Sequence, residues 1–324
     1  MPAVLIRGQS VAARCCAHLL NAAGFDIAMD AVERPKLPAI LVGEPTQQLM
    51  TDVFGQRHLF DGLPRIEKRV VAWGGEAVTV PHRAVVVSEE VLAGKLGLGG
   101  KANDPPAWTV YASRPLPESC EDRTFGARLA TAHAATLRGN AAALWIESVS
   151  AGWLFLLSAG GRAGWLLSVG GAADSLLGES GLIAPFIDGL GDPAGTFPAH
   201  PRMASPLCGR GWLSCGTAAL SFDPICGDGT GYAIREGILA AAVIRAADRG
   251  EDEAALRSHY RNRILAAFQR HLELCRAYYR TGGSGPWWQG QLEALEEGVR
   301  WCRSALAGEV FRYRLKGFEL ERAG

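Results

Sequence analysis

The chain has 324 residues, 48% of them apolar and 20% charged, a balance that predicts a substantial buried core in one large domain or two intertwined ones. Lys+Arg and Asp+Glu both number 33, so the formal net charge is zero; with no basic stripe, nothing supports nucleic-acid binding. Eight cysteines without a CxxC pair point to reduced thiols in a cytoplasmic protein rather than to structural disulfides. The opening MPAVLIRGQS has too short an apolar run for a signal peptide, and no uncharged stretch reaches the roughly 18 residues that would span a membrane.

In chain order, Ala3–Ile6 predicts a buried strand, RGQSVAARCCAHLLNAAGF a glycine turn and a helix ended by Gly24, and FDIAMD a second strand. Together they form a β-turn-α-β unit. Pro35 and Pro38 bound a linker into AILVGEPTQQLMTDVFG, with a helix from Thr46 to about Phe54. RIEKRVVAWGGEAVTV is patterned as a hairpin turning at Gly74-Gly75. AVVVSEEVLAGKLGLGG predicts a strand and a short helix, GGKANDPPA a loop, and WTVYAS another strand. The apolar stretch LWIESVSAGWLFLLSAGGRAGWLLSVGG is broken by Glu147 and Arg162. It predicts two or three buried strands over 141–170, turning near Gly160-Gly161. Helical spacing runs from Glu251 to Arg280, where RTGGSGP stops it, and a further helix covers about Gln289–Leu306. The tail EVFRYRLKGFELER alternates like a final strand or an ordered extension.

Two glycine turns stand out. The first sits where a dinucleotide fingerprint would, with Gly8, Ser10 and Ala13 at the three positions of G-x-G-x-x-G/A. Gly8 supplies the tight turn and Ala13 permits close helix–strand packing, but Ser10 carries a Cβ where backbone should approach a pyrophosphate. The acid expected after the second strand is Asp30, or Glu33 if the strand runs longer. The second turn, SFDPICGDGTGYAIREG, feeds the alanine-rich run ILAAAVIRAA. It reads either as a loop needing unusual backbone angles or as a ligand loop presenting free N–H groups at a helix N-terminus. If both turns serve one ligand, the ligand is long, and the strand-rich middle of the chain is an insertion between its two halves. A dinucleotide such as FAD fits that layout.

These residues resemble the flavoprotein monooxygenases of the para-hydroxybenzoate hydroxylase fold, and within them the tryptophan-halogenase-like branch. That branch also holds flavoproteins that mature quinone cofactors of amino-acid oxidases. Gly8–Ala13 matches the pyrophosphate turn, VGEPT at 42–46 the V-G-E-x-T segment, and VYASRP at 110–115 a D-A-S-G-R strand end. GWLFLLS at 152–158 is similar to a W-x-W-x-I-P strand, and LSCGTAALSFDPICGDGTG at 213–231 to G-D-A-A followed by D-P-x-x-G-x-G. YYRTGGSGPWW and RLKGFEL resemble its C-terminal pieces. The departures are Thr217 for the aspartate of G-D, Tyr111 for that of D-A-S-G, Leu157-Ser158 for Ile-Pro, and Asp30 one position before the expected Ala31.

The resemblance implies an α/β chain with a discontinuous Rossmann-like FAD-binding domain (1–50, 96–135 and 203–250), an antiparallel substrate-binding sheet (51–95 and 136–202) and C-terminal helices (251–324). It implies cofactor contacts at Gly8, Ser10, Ala13, Asp30, Gly216, Thr217, Asp223, Pro224, Gly227, Gly229, Thr230 and Gly231. Asp223 would fix the entrance of the late loop, Pro224 would lie near the isoalloxazine, and the amides of Gly227–Gly231 would face its pyrimidine edge and stabilise negative charge. Lys68 is the candidate for the halogenases' catalytic lysine; its other reading is a solvated strand lysine.

Two functions follow. One is an FAD-dependent monooxygenase acting through a flavin C4a-peroxide on an indole, a phenol or a peptidyl tryptophan, with electrons from NAD(P)H or a flavin reductase. The other is a flavin-poor or flavin-less maturation factor for a partner oxidase subunit. Neither needs a metal: the seven histidines show no metal spacing, and His18 and His133 read as packing or surface residues. Cys208, Cys215 and Cys226 read as small packing residues or a redox thiol. Tyr278, Tyr279, Trp287 and Trp288 read as cover for a pocket or an interface.

Overall fold

The computed structural model describes residues 2–97 and 105–323; the part of the expected loop GGKANDPPA that precedes residue 105 lies outside them. The fold is α/β, and its smaller principal sheet grows from the β-turn-α-β unit. Strand Ala3–Arg7 pairs in parallel with Asp26–Asp30 on one side and Trp108–Tyr111 on the other. Trp212–Ser214 adds a parallel strand beside Trp108–Tyr111, and Cys208–Gly209 turns back on it as an antiparallel edge. The connecting helix Val11–Ala22 begins at Ser10, whose hydroxyl accepts the Ala13 N–H at 3.4 Å, an N-cap interaction. The run ILAAAVIRAA lies in the helix Gly229–Asp248, whose buried small side chains pack on Val11–Ala22. Gly237 is needed at that crossing, because a Cβ on it would sit 2.5 Å from the Ala12 carbonyl oxygen.

The large sheet has eight strands, in the order Ile187–Pro198, Leu129–Leu137, Ala163–Val169, Gly152–Gly160, Ala143–Val149, Arg65–Ala72, Val78–Val87, Ile40–Gly43. Its pairs are antiparallel except Arg65–Ala72 with Ala143–Val149. Both faces of its centre are covered, which explains the continuous apolar run. Trp153 and Leu157 face the main core, while Leu154 and Leu156 join a second cluster under the helix Ala173–Glu179. Residues 141–170 form three strands, and the expected turn stands at Gly160 and Gly161, both at positive φ. Glu147, which interrupts the run, is buried and fully engaged: it accepts the N–H groups of Gly181, Leu182 and Ile183 at 2.8–2.9 Å and the Ser180 hydroxyl.

Three expectations need adjustment. The helix expected from Thr46 is Glu44–Phe54, starting earlier because Gly43 caps it and Pro45 fits its first turn. The tail is a hairpin of Tyr313–Lys316 and Glu319–Arg322 rather than one strand. IDGLGDPAGTFP, which carries three glycines and two prolines and gave no strand signal, is the edge strand Ile187–Pro198; its register shifts three times, and an edge tolerates proline. The long helices Glu253–Gly282 and Pro286–Leu306 pack on one another. No helix among the described residues is long and apolar enough to cross a membrane.

Candidate functional site

Both glycine turns open on one cavity of about 410 Å³. Ser10 and Val11 form one wall at the start of the first helix, with Gly216 and Thr217 beside them. Pro224, Gly227, Gly229 and Thr230 form the far end, and Phe155, Leu167 and Phe197 of the large sheet supply an apolar side. A second cavity of about 580 Å³, lined by Gln9, Ala31 and Glu33, meets the first at Arg34 and Glu89, which line both. Arg34 and Glu89 are ion-paired there, and Glu89 also accepts the Leu37 N–H at 2.9 Å.

At the first turn, Gly8 takes φ +114°, and a Cβ on it would meet Ser113 Oγ at 2.3 Å. Both the backbone angle and the space therefore require glycine. Ser10 is buried, caps the helix and lines the cavity. Ala13 is buried one turn further in, away from the cavity wall. Asp30 is half exposed, sits 3.4 Å from Arg7 Nε, and lines neither cavity, whereas Glu33 lines the second.

The late loop is held more firmly. The Asp223 side chain is fully buried and accepts two N–H groups of Arg128 (Nε at 2.9 Å), the Tyr279 hydroxyl at 2.9 Å and the Ile225 N–H at 2.9 Å. Its own backbone N–H donates to His271 Nε2 at 2.9 Å. Arg128 continues the network to Gln291 Oε1 at 2.7 Å and lies over the Tyr279 ring, 4.8 Å from its centroid. Trp153 Nε1 donates to the Tyr279 oxygen at 3.1 Å. Burial opposes the Arg128 charge, but Asp223 and Tyr279 hold it and push its pKa up. Burial and the neighbouring Asp223 push the Tyr279 phenol up as well, so both donors keep their protons at any ordinary pH.

The glycines of this loop answer to geometry. Gly227, at φ +65°, ends the short turn Pro224–Cys226. A Cβ on Gly231 would lie 2.2 Å from Asp228 Oδ1 and 2.6 Å from Thr46 Oγ1. Thr46 donates to Asp228 Oδ1 at 2.8 Å, so VGEPT meets the glycine loop directly. No side chain caps the first turn of Gly229–Asp248, and its first residues, Gly229 and Thr230, line the cavity, so its positive dipole end lies at the cavity wall. Gly216, at φ +59°, would carry a Cβ 2.9 Å from that of Ala12. The Thr217 carbonyl accepts from Arg202 at 2.8 Å.

Several site residues escaped sequence reasoning. Glu236, a single acid just ahead of a run of apolar side chains, is buried on the cavity wall; Oε2 accepts the Gly216 N–H at 2.6 Å while Oε1 has no partner. Burial pushes its carboxyl up to about 8, against the pull of the Gly216 N–H. Arg34 and His271 also line the cavity, and Arg128 and Tyr279 buttress it from behind. The Sγ atoms of Cys226 and Cys275 and a ring nitrogen of His271 lie within 4.8 Å of one another; only the i, i+4 pair His271 and Cys275 hinted at this grouping.

Other candidates lie elsewhere. Lys68 is exposed on the strand Arg65–Ala72 and does not line the cavity. Tyr279 and Trp288 are buried in an aromatic cluster with Trp73, Trp153 and Trp287 rather than placed on the cavity wall. His133 is buried with Nδ1 3.0 Å from the Gly191 carbonyl oxygen, and His18 packs on Phe54.

No protein-family model matches the chain, and no curated protein matches it by sequence. Solved structures do. QhpG, a peptidyl tryptophan dihydroxylase essential for tryptophylquinone cofactor biogenesis, aligns over 99% of this chain and 86% of its own at 16% identity, with a TM-score of 0.79. CmlS, a flavin-dependent halogenase, aligns over 99% and 84% at 13% identity, with a TM-score of 0.78. The p-nitrophenol 4-monooxygenase PnpA from Pseudomonas putida DLL-E4 aligns over 95% and 98% at 14% identity, with a TM-score of 0.65. At such identities the likeness establishes the fold, and it is the one the motifs resemble: the chain folds as flavin-dependent monooxygenases and halogenases do.

Proposed function

We propose that the chain is an FAD-dependent oxidoreductase, a monooxygenase for an electron-rich aromatic substrate: an indole, a phenol or a peptidyl tryptophan. The observation that carries the reading is the convergence of two glycine turns, each opening a helix, on one cavity that adjoins a second at the Arg34–Glu89 pair. A dinucleotide suits that shape. Its two ends would occupy the two cavities, and its anionic middle would lie by Ser10, where Gly8 keeps the turn tight. The residues present fit the group: Gly216, Gly227 and Gly229 leave no side chain between backbone and cavity, and the uncapped first turn of Gly229–Asp248 offers donors to an electron-rich ring.

Bound and reduced, the flavin supplies two-electron activation of dioxygen. The chain's own residues do the rest. Asp223, locked by Arg128 and Tyr279, sets the path of the loop that carries Pro224 to Gly231. The loop amides stabilise negative charge in a site with the apolar side chains of Phe155, Leu167 and Phe197 along one side. Those three side chains also offer an apolar wall to an aromatic substrate. In this proposal 1–50, 96–135 and 203–250 carry the cofactor and lend Ile40–Gly43 and most of Leu129–Leu137 to the large sheet. Residues 51–95 and 136–202 build the substrate side, and 251–324 buttress the loop. NAD(P)H or a flavin reductase supplies electrons.

The test is the visible spectrum of the purified protein, followed by titration with FAD. Flavin bands that bleach under reductant and return in air support the proposal. A colourless protein that binds no FAD at high micromolar concentration sinks it. One observation favours the second reading: the Glu236 carboxyl occupies the Gly216 N–H, and Thr217 stands where an acid is expected. On that reading the chain is a flavin-poor maturation factor, and a colourless protein that co-purifies with an oxidase subunit decides for it.

A further inference from the structure

Cys226 ends the short turn Pro224–Cys226 and lines the cavity. Cys275 is buried on the helix Glu253–Gly282, one turn after His271. Their Sγ atoms are 3.5 Å apart, and Cys275 Sγ lies 3.3 Å from His271 Nε2. A disulfide needs about 2.05 Å between sulfurs, so closure asks for a movement of roughly 1.5 Å. The bond would join a loop residue followed by Gly227 at φ +65° to a residue on a rigid helix. The movement therefore falls on the loop.

The two thiols have different characters. The Cys226 thiol is pushed down to about 6, chiefly because the Cys275 S–H donates to it, against burial and the neighbouring Asp223. Burial pushes Cys275 well above the ordinary thiol value, so it keeps its proton. One sulfur is an accessible thiolate, and the other is a protonated partner in contact behind it.

We propose that Cys226 and Cys275 are a redox-active dithiol that senses hydrogen peroxide at the cavity. The Cys226 thiolate attacks one peroxide oxygen and the O–O bond breaks. The leaving hydroxide takes a proton to become water, and Cys226 is left as a sulfenic acid. The Cys275 sulfur then attacks the Cys226 sulfur, the S–O bond breaks, and the departing hydroxyl leaves as water with the Cys275 proton. Two electrons pass from the sulfurs to the peroxide, giving one disulfide and two waters, and a small external dithiol restores the pair. The disulfide would tie the Asp223–Gly231 loop to the long helix, so peroxide would fix the loop that borders the cavity.

A metal ion suits these atoms less well. His271 Nε2 already accepts the Asp223 N–H, so its lone pair is engaged, and Nδ1 is buried without a partner. The dithiol needs no change in that bond, and it does not depend on a bound flavin.

The test uses the full chain as purified, after metal analysis, treated with equimolar hydrogen peroxide, alkylated in denaturant and mapped by peptide mass spectrometry. The expected result is a Cys226–Cys275 cross-linked peptide in most of the protein, lost after dithiothreitol and absent from Cys226→Ser, while Cys15, Cys16 and Cys215 stay alkylatable. A wild-type protein that stops at a sulfenic or sulfinic acid on Cys226, or links either residue elsewhere, overturns the proposal. A stoichiometric metal that protects both thiols from alkylation before denaturation overturns it in favour of a metal site. Cys275→Ala tests the resolving step: dimedone should trap Cys226 in it. If that variant does not fold, the wild-type map still decides.

Discussion

The two glycine turns do the same geometric work by opposite means. The first is held mainly by backbone: Gly8 fits against Ser113 and its N–H donates to the Asp30 carbonyl at 2.8 Å, Ser10 caps the helix, and the nearest acid side chain, Asp30, is half exposed beside Arg7. The second is held from outside: Asp223 is enclosed by Arg128, just ahead of the strand Leu129–Leu137, and by Tyr279 and His271 of the long helix Glu253–Gly282. A turn shaped by backbone needs only its own helix and the ends of the two strands beside it. A turn shaped by buried charge depends on everything that surrounds it and can be undone from a distance.

The largest expected effect breaks the second turn. Asp223→Ala leaves Arg128 charged and unpaired in a fully buried place, which should cost about 3–5 kcal/mol in denaturant unfolding. Arg128→Met combined with Asp223→Ala should cost clearly less, because no stranded charge remains. If the double variant is as unstable as Asp223→Ala, the network holds by packing rather than by charge, and the contrast between the turns fails.

Next comes Glu236, which ties the late helix to Gly216 on the cavity wall beside Ser10. Its folded pKa of about 8 lies above the unfolded value near 4.5. Its contribution to stability is therefore complete below pH 4.5 and is lost as pH rises to about 8. Glu236→Gln keeps an acceptor for the Gly216 N–H and removes this slope. At pH 8 the variant should be more stable by on the order of 2 kcal/mol, less than the full shift implies because the amide leaves a group unpaired. FAD affinity should fall above pH 8 in the wild type, as a buried anion appears on the cavity wall, and stay level in the variant. Urea melts and FAD titrations at pH 5, 7 and 9 check both.

Cys226 tests the loop without a change in sequence. Its iodoacetamide reaction should rise about tenfold per pH unit up to about 6 and then level, where an ordinary thiol levels near 8.5. The groups facing it are Cys275 and His271 from the long helix, Asp223 from its own loop and Tyr232 from the late helix. Of these, Cys275 favours the thiolate, while burial and Asp223 oppose it. A midpoint near 8.5 would mean that Cys275 does not donate to it.

How much of this the sequence carried follows from the same contrast. The β-turn-α-β unit, the sheet strands of 141–170 and the late glycine helix were legible, because periodicity and glycine placement are local properties. The edge strand Ile187–Pro198 was hidden by its glycines and prolines, which read as loop unless the sheet that accepts them is known. Arg128 and His271 were hidden more deeply, and Tyr279, read as cover for a pocket or an interface, gave no sign of its bond to Asp223. Each is an ordinary residue in its own segment and acquires a role only when the fold brings it to Asp223. Glu147 shows the reverse error: it looked like an interruption, and four donors make it part of the core.

The smallest effect concerns the acid after the second strand, where the first turn leaves two candidates. The strand ends at Asp30, one position before the motif's acid would fall, and its side chain is half exposed and outside both cavities. Glu33 lies beyond the strand and lines the second cavity. If the ribose of a bound dinucleotide rests there, Glu33→Gln should weaken FAD binding about fivefold, the loss of one hydrogen bond worth roughly 1 kcal/mol. Asp30→Asn should change affinity little and stability by less than about 1 kcal/mol, as expected of a surface ion pair. The opposite ranking in FAD titrations would mean that the chain beyond Asp30 rearranges on binding, and the first turn would then take its shape from the ligand as well as from its backbone.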